Sequence, residues 1–122
     1  MHKKPYPVPH KRRDVFCCEL RNLVNNGVLE PCGVTSWASP TFIIPKPESS
    51  TVRWVSNFRK LNSRVLERTQ YPVPRIQDIM LKQGGYSHFT KIGLSMMFYC
   101  FKLDQASKEL CTIITPFGKF QY

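Results

Sequence analysis

The amino-acid sequence predicts an α+β fold with two short helices, a β-hairpin and several further strands. Apolar side chains recur at helical spacing after Asp14 and again after Arg75, which is typical of short amphipathic helices. Elsewhere, short apolar runs are separated by turn-forming residues, which is typical of strands. The chain has 122 residues, of which 42% are apolar, so its length suits one domain with a modest core.

Residues 1–13 are predicted to form an extended, basic, proline-rich arm. The arm contains Lys, Arg and His but no acidic residue, and Pro5, Pro7 and Pro9 stand at alternate positions. Prolines at this spacing are incompatible with a helix, because each one lacks the backbone donor that a helix needs.

The first helix is predicted to run from Asp14 to Asn26. Its apolar positions approximate helical periodicity, and they are Val15, Cys18, Leu20, Leu23 and Val24. Asn26 and Gly27 tolerate the left-handed conformation that commonly ends a helix. The loop that follows is broken by prolines and small polar residues, and Trp37 is its expected apolar anchor.

A β-hairpin with a basic tip is predicted next. Residues 41–44 and 52–55 are strand-like, and the stretch 46–50 between them favours a turn. Residues 58–66 are too short and too charged to decide between a helix and an ordered loop.

The remainder is predicted to contain a second helix and several short strands. Residues 75–83 have apolar side chains at helical spacing and end at a glycine pair. Strands are expected at 88–92, 98–103, 110–115 and from 119 to the end. Asp104 is expected to cap a short helical turn through Glu109, and residues 116–118 to form a tight turn.

Composition favours a polyanionic partner. The formal net charge is +10, which suits nucleic acid, phosphates or acidic lipid, although a merely soluble basic protein would share it. The 5 cysteines form no CxxC pair and have no His at zinc-ligand spacing, so free thiols and an intracellular, reducing setting are expected. No apolar stretch has the length of a membrane span, so no membrane partner is expected.

A series of ordered motifs resembles the reverse transcriptase (RNA-directed DNA polymerase) of gypsy-type LTR retrotransposon Pol polyproteins. Residues 37–46 (WASPTFIIPK) resemble a strand of the fingers in that family, and residues 53–62 (RWVSNFRKLN) follow at the expected interval. Residues 71–79 (YPVPRIQDI) and 85–91 (GYSHFTK) resemble the segments that lead into the palm, and 98–104 and 110–118 resemble later strands. The resemblance divides the chain into a basic arm (1–13), a fingers-like region (14–87) and a partial palm (88–122).

The resemblance also implies roles for individual side chains. Lys46 and Arg53 match positions that grip the incoming deoxynucleotide, although ordinary solvated hairpin charges remain the alternative. Phe98 matches the aromatic residue beneath the nucleotide sugar, with a plain core aromatic as its alternative. Arg59 and Asn62 match positions suited to structure and template-strand contact, and a buried hydrogen bond is the alternative for Asn62. The implied partners are an RNA or DNA template-primer and deoxynucleotides.

The sequence departs from the family where the catalytic metals would bind. The family holds Mg²⁺ or Mn²⁺ on carboxylates, and Gly93 stands where the first of them is expected. Asp104 matches a residue at the far end of the next predicted strand, and the Tyr-x-Asp-Asp motif is absent from the chain. We therefore expect no metal site, no cofactor and no polymerase activity in this truncated segment. A non-catalytic nucleic-acid-binding remnant and a fragment without function are the alternatives.

Overall fold

The described part of the chain is organised around a five-stranded sheet with strand order β1-β5-β4-β2-β3. The computed structural model describes residues 4–47, 51–65 and 71–122. The strands are β1 (Glu30–Pro31), β2 (Ser39–Pro45), β3 (Val52–Ser56), β4 (Thr112–Thr115) and β5 (Gly118–Gln121). The helices are α1 (His10–Asn25), α2 (Arg59–Asn62), α3 (Ile76–Leu81) and α4 (Gln105–Leu110), with a 3-10 helix at Met97–Cys100.

Helix α1 begins earlier than the sequence predicted. It starts at His10 directly after Pro9, which has φ −56° and ψ 141°, rather than at Asp14. Proline restricts the residues before it and suits a helix start, and the Lys and Arg residues that follow are good helix formers. The predicted end is confirmed, because Gly27 has φ 69° and its N–H donates to the Val24 carbonyl at 3.0 Å.

The buried side of α1 differs from the predicted apolar stripe. Phe16, Leu20 and Leu23 are buried, at the i, i+4 and i+7 spacing of one helix face. Val15 and Cys18, which were predicted to belong to that stripe, are exposed. The predicted periodicity and the positions Leu20 and Leu23 are therefore confirmed, whereas the predictions for Val15 and Cys18 are wrong, because Phe16 is the residue of this turn that packs in the core.

The predicted hairpin is confirmed by antiparallel pairing of β2 with β3, in which Ile43 lies opposite Trp54 and Ile44 opposite Arg53. A second antiparallel hairpin is formed by β4 and β5. The two hairpins join through parallel pairing of β2 with β4, where Ser39 lies opposite Ile113. Residues 48–50 of the predicted turn, residues 1–3 of the arm and residue 66 lie outside the described residues.

The core lies between α1 and one face of this sheet. Phe16, Leu20 and Leu23 pack with four buried residues of the sheet and the loop before it, which are Leu29, Ile43, Trp54 and Ile113. The rings of Phe16 and Trp54 lie 4.8 Å apart between centroids. Aromatic pairs at this distance add to the stability that comes from burial itself.

Two predicted strands are absent. Residues 88–92 have no regular structure, and the segment 98–103 contains part of the 3-10 helix Met97–Cys100. Every described residue from 71 to 102 except Tyr99 is exposed, so no neighbouring strand supplies the hydrogen-bond partners that a strand needs. An apolar run without such a partner does not form a strand by itself.

The other C-terminal predictions are confirmed with altered bounds. The Asp104 carboxylate accepts a hydrogen bond from Ser107 N at 2.8 Å and caps α4, which runs through Leu110. For this reason β4 begins at Thr112 rather than at the predicted residue 110. Helix α3 lies within the predicted second helix, and α2 shows that part of the undecided segment is helical.

Glu30 of the edge strand β1 is bonded to helix α4 and to strand β5. Its Oε1 accepts from Lys108 Nζ at 2.9 Å and from Gln121 Nε2 at 2.7 Å, and the hydrogen bond from Lys108 is the main reason that the pKa of Glu30 is lowered. A lowered carboxyl pKa stabilises the fold in full above the ordinary value of 4.5, and this stabilisation is lost as the pH falls through the folded-state pKa.

We expect Glu30→Gln to lower the thermal unfolding midpoint at pH 7 and to have a smaller effect at pH 3. Between these two pH values the pH falls below the ordinary carboxyl value of 4.5 toward the lowered folded-state pKa, so the stabilisation by the ion pair with Lys108 is progressively lost. Thermal unfolding followed by circular dichroism at both pH values measures the difference. Glu109→Gln is the matched control, because Glu109 makes no ion pair among the described residues. An equal effect of Glu30→Gln at both pH values would contradict the ionic origin.

Candidate nucleic-acid interface

The face of the β2–β3 hairpin that points away from α1 carries the predicted nucleotide-binding cations. Ile44 lies opposite Arg53 and Phe42 opposite Val55, and cross-strand partners share a face of the sheet. Ile43 and Trp54 occupy the other face, in the core. We call the surface formed by Phe42, Ile44, Arg53 and Val55 the outer face of the hairpin.

Lys46 and Arg53 are diagonal neighbours on this outer face. Lys46 N donates to Thr51 O at 3.0 Å, which continues the β2–β3 ladder one step beyond Pro45. This places Lys46 diagonally across from Arg53, and diagonal neighbours of a sheet are roughly 7–8 Å apart, a separation within reach of long side chains. Both residues are exposed. Two cations on flexible stems at this separation can approach one polyanionic group.

A pocket of about 630 Å³ lies farther along the same face. Its walls include Tyr6, Phe42 and Val55, together with Asn57, Arg59 and Asn62. The rings of Tyr6 and Phe42 meet edge to face, with centroids 5.6 Å apart and planes at 82°. Asn57 Nδ2 donates to the Tyr6 hydroxyl at 3.0 Å. The arm is therefore held onto the hairpin by one ring contact and one hydrogen bond.

The structure thus brings Arg59 and Asn62 together, and it adds two aromatic side chains that sequence reasoning did not select. Tyr6 belongs to the arm, and its position between Pro5 and Pro7 in an otherwise basic stretch was the available clue. Phe42 was assigned only to a strand, and its outward direction depends on the strand register. A pocket with aromatic walls beside a guanidinium suits a flat base and its phosphate.

The cations of this surface lack carboxylate partners within the described residues. In the part of the chain that the structure describes, the ion pair between Lys108 and Glu30 is the one found, and it lies at the opposite edge of the sheet. Lys46, Arg53 and Arg59 are exposed and can therefore neutralise an external anion. The net charge of +10 acts in the same direction.

Phe98 lies elsewhere. Its side chain is 93% exposed and lines a second cavity, of about 900 Å³, whose walls include Trp54, Phe58 and Tyr122 but neither Lys46 nor Arg53. The structure therefore places Lys46 and Arg53 on one face of the hairpin, whereas Phe98 lines a separate cavity.

Tyr122 lines the wall of this second cavity. Its hydroxyl lies 2.7 Å from Ser56 Oγ, and burial raises the pKa of Tyr122 to about 12 against the opposing effect of the Ser56 hydrogen bond. The buried Trp54 Nε1 lies near enough to favour the ionised phenol slightly, yet it makes no hydrogen bond of acceptable geometry in the described structure.

The described residues do not supply a carboxylate cluster for a metal. No three His, Cys, Asp or Glu side chains come together in a way that could hold an ion within residues 4–47, 51–65 and 71–122. A Cβ built on Gly93 would meet no atom within 4 Å, so the backbone has room for a side chain that the sequence does not provide. The Asp104 carboxylate caps α4, which lowers its pKa. The residues present therefore do not fit a two-metal site.

Two further findings concern the cysteines and the helices. All 5 cysteines are free thiols, as predicted. Among the described residues, no helix has both the length and the apolar character that crossing a membrane requires.

Comparison with known proteins identifies relatives of the chain. No family model matches it. The Pol polyproteins of transposons 412 and 297 from Drosophila melanogaster are each 27% identical across the whole chain. The transposon Tf2-3 polyprotein of Schizosaccharomyces pombe is 26% identical over 96% of the chain. The chain spans 10%, 12% and 9% of the lengths of these three proteins.

Solved structures agree at the level of the fold. A foamy viral protease-reverse transcriptase in complex with double-stranded DNA matches 98% of this chain and 25% of its own, with a TM-score of 0.78 and 17% identity. The native prototype foamy virus protease-reverse transcriptase matches 98% of this chain and 16% of its own, with a TM-score of 0.71 and 19% identity. The homologues of this chain are therefore retrotransposon Pol polyproteins, and its α+β fold matches a region of a reverse transcriptase.

Proposed function

We propose that this chain is a segment of a retrotransposon reverse transcriptase that holds nucleic acid and is inactive by itself as a polymerase. The observation that carries the proposal is the outer face of the hairpin, where the Tyr6–Phe42 pocket lies beside cations without carboxylate partners among the described residues. Aromatic rings stack on unpaired bases, and cations neutralise phosphates. The relatives support the proposal, since they are Pol polyproteins and one structural neighbour is described in complex with double-stranded DNA.

Individual residues take different parts in the proposed interaction. Arg59 and Asn62, in the pocket with Tyr6 and Phe42, contact the template strand. Lys46 and Arg53 neutralise the triphosphate of a deoxynucleotide, for which their diagonal placement on the hairpin is suited. Phe98 contacts the nucleotide sugar, a role that requires its segment to be held in place.

The proposal includes a division of the chain into a basic arm, fingers and the beginning of the palm. The hairpin of β2 and β3 belongs to the fingers. The division predicted from the sequence assigns 14–87 to the fingers and 88–122 to the partial palm. Strands β4 and β5 share the sheet and the core of the hairpin, which supports moving 104–122 from the palm to the fingers. The largely exposed residues 71–103 are then the beginning of the palm.

Inactivity follows from the missing carboxylates. In two-metal phosphoryl transfer, divalent ions clamp the attacking and leaving oxygens, and protein carboxylates hold them. Gly93 offers no ligand, and Asp104 is committed to the α4 cap. The described residues can bind and orient a nucleic acid or a nucleotide, but no three His, Cys, Asp or Glu side chains among them could hold a metal ion together.

A fragment without function is the second candidate, and the exposed segment 71–102 favours it. Large apolar side chains there lack cover, including Phe89, Leu94 and Phe101. Uncovered apolar surface of this kind promotes aggregation or degradation. A soluble chain that binds nucleic acid in the manner described next would exclude this candidate.

We expect single-stranded DNA or RNA to bind with an affinity that falls steeply as salt rises. Lys46→Gln combined with Arg53→Gln should make the slope of log affinity against log salt shallower by roughly 0.7 for each lost phosphate contact. Fluorescence anisotropy of a labelled oligonucleotide across a salt series measures the slope. Arg75→Gln with Lys82→Gln removes the same charge from the ends of α3 and should leave the slope nearer to wild type. Equal slopes for both double variants would contradict a role for the hairpin cations.

We expect Tyr6→Ala and Phe42→Ala each to weaken single-strand binding by roughly 5- to 150-fold, the effect of losing one stacked base. The salt slope should stay unchanged, because no phosphate contact is removed. Tyr71→Ala is the control, since Tyr71 is also an exposed aromatic residue but lies outside the pocket. An unchanged affinity in both pocket variants, with folding confirmed by circular dichroism, would rule out base stacking at this site.

We expect primer extension with magnesium and all four deoxynucleotides to equal a blank, and Gly93→Asp by itself not to restore activity. The substitution should fold normally, because the new Cβ meets nothing within 4 Å. One carboxylate cannot organise two ions.

Fusion to a related downstream half that carries Tyr-x-Asp-Asp and a thumb is the informative comparison. Activity in the Gly93→Asp fusion but not in the Gly93 fusion would assign the lost chemistry to this position. Equal activity in both would show that Gly93 does not stand at the first metal-ligand position.

A further inference from the structure

Tyr99 is the one partly buried residue between residues 71 and 102. Every other described residue from 71 to 102 is exposed, including the neighbours Phe98 and Cys100. Tyr99 N donates to Met96 O at 2.9 Å, and Met96 has the left-handed φ of 52°. The tight turn around Phe98 is therefore tied directly to the backbone of the one residue that is partly buried.

The Tyr99 ring stacks on Tyr122, with centroids 6.2 Å apart and planes at 20°. Tyr122 in turn is fixed to the sheet, because its hydroxyl lies 2.7 Å from Ser56 Oγ and its ring meets Phe58 at 6.0 Å. Ser56 Oγ also lies 3.2 Å from the hydroxyl of the fully buried Thr41. Tyr122 is thus bonded to the sheet, and Tyr99 stacks on it from the exposed segment.

The cavity of about 900 Å³ separates the segment from the sheet elsewhere. Phe98 and Phe101 line one wall, while Trp54 and Ser56 line the other. The two walls meet at the Tyr99–Tyr122 stack, and both rings also pack against the margin of the core. Loss of the Tyr99 ring would therefore loosen the segment, while the buried residues of the core keep their contacts with one another.

We propose that Tyr99 and Tyr122 form a latch that holds residues 94–103 against the sheet and thereby positions Phe98. The latch deepens the proposed function and rests on it, since Phe98 matters only if this surface receives a nucleotide. Tyr99 and Tyr122 are positioning residues, and they act on the nucleotide through Phe98 rather than by contact.

Limited trypsin digestion tests the latch independently of any nucleotide. Cleavage after Lys91 and Lys102 should be on the order of 10-fold faster in Tyr99→Ala than in wild type, since an aromatic stack of this kind shifts a local opening equilibrium by about that factor. Tyr99→Phe keeps the ring and should restore the wild-type rate. Phe98→Ala is the matched control, because its exposed side chain takes no part in the stack, and it should cleave as wild type does.

Three further measurements test the latch. Thermal unfolding should be nearly unchanged in Tyr99→Ala, and Ser56→Ala, which removes the hydroxyl that fixes Tyr122, should accelerate cleavage to a smaller degree. A fluorescent deoxynucleotide should bind more weakly to Tyr99→Ala and Phe98→Ala than to Tyr99→Phe. Faster cleavage with no nucleotide binding in any variant would support the latch and refute the nucleotide role. Wild-type cleavage rates in Tyr99→Ala, or equal acceleration by Phe98→Ala, would overturn the latch.

Discussion

The parallel pairing of β2 with β4 is the contact on which the rest of the structure depends. It joins two hairpins that are distant in sequence, with Ser39 opposite Ile113 and Pro40 opposite Ile114. Ile113 is completely buried there and meets the residues that α1 presents. A long intervening chain must be closed to make this pairing, and the entropy cost grows only slowly with its length. Burial of the shared core offsets that cost, and without the pairing α1 would have only half a sheet to cover.

One face of the sheet packs in the core and stabilises the fold, while the opposite face carries the residues of the candidate interface. Strand residues alternate between faces, so that Ile43 and Trp54 enter the core while Phe42 and Arg53 face outward. The outer face can therefore carry unpaired charge and open aromatic rings without disturbing the packing beneath. Tyr6 adds to this face from outside the sheet, through its contacts with Phe42 and Asn57. A substitution on the outer face should consequently alter binding more than stability.

The segment between the hairpins is governed by different constraints. Residues 71–102 have the apolar content of a packed region, yet the described structure gives them almost no cover. Tyr99 is their one partly buried residue, and its ring stacks on Tyr122, whose hydroxyl lies 2.7 Å from Ser56 Oγ. This explains why Phe98 and the cations of the hairpin, although matched to one site by the family resemblance, depend on separate structural supports.

The sequence by itself determined the features that depend on neighbouring residues. These include the end of α1 before Gly27, the β2–β3 hairpin and the Asp104 cap, because turn, capping and strand preferences act over a few positions. The order of the motifs also sufficed to identify the relatives. Tertiary structure decided the rest. The pairing register of β2 with β3 places Phe42 on the outer face, and Tyr6 packs against it there. Residues 88–92 form no strand, because a strand needs a hydrogen-bonding partner that the local sequence cannot supply.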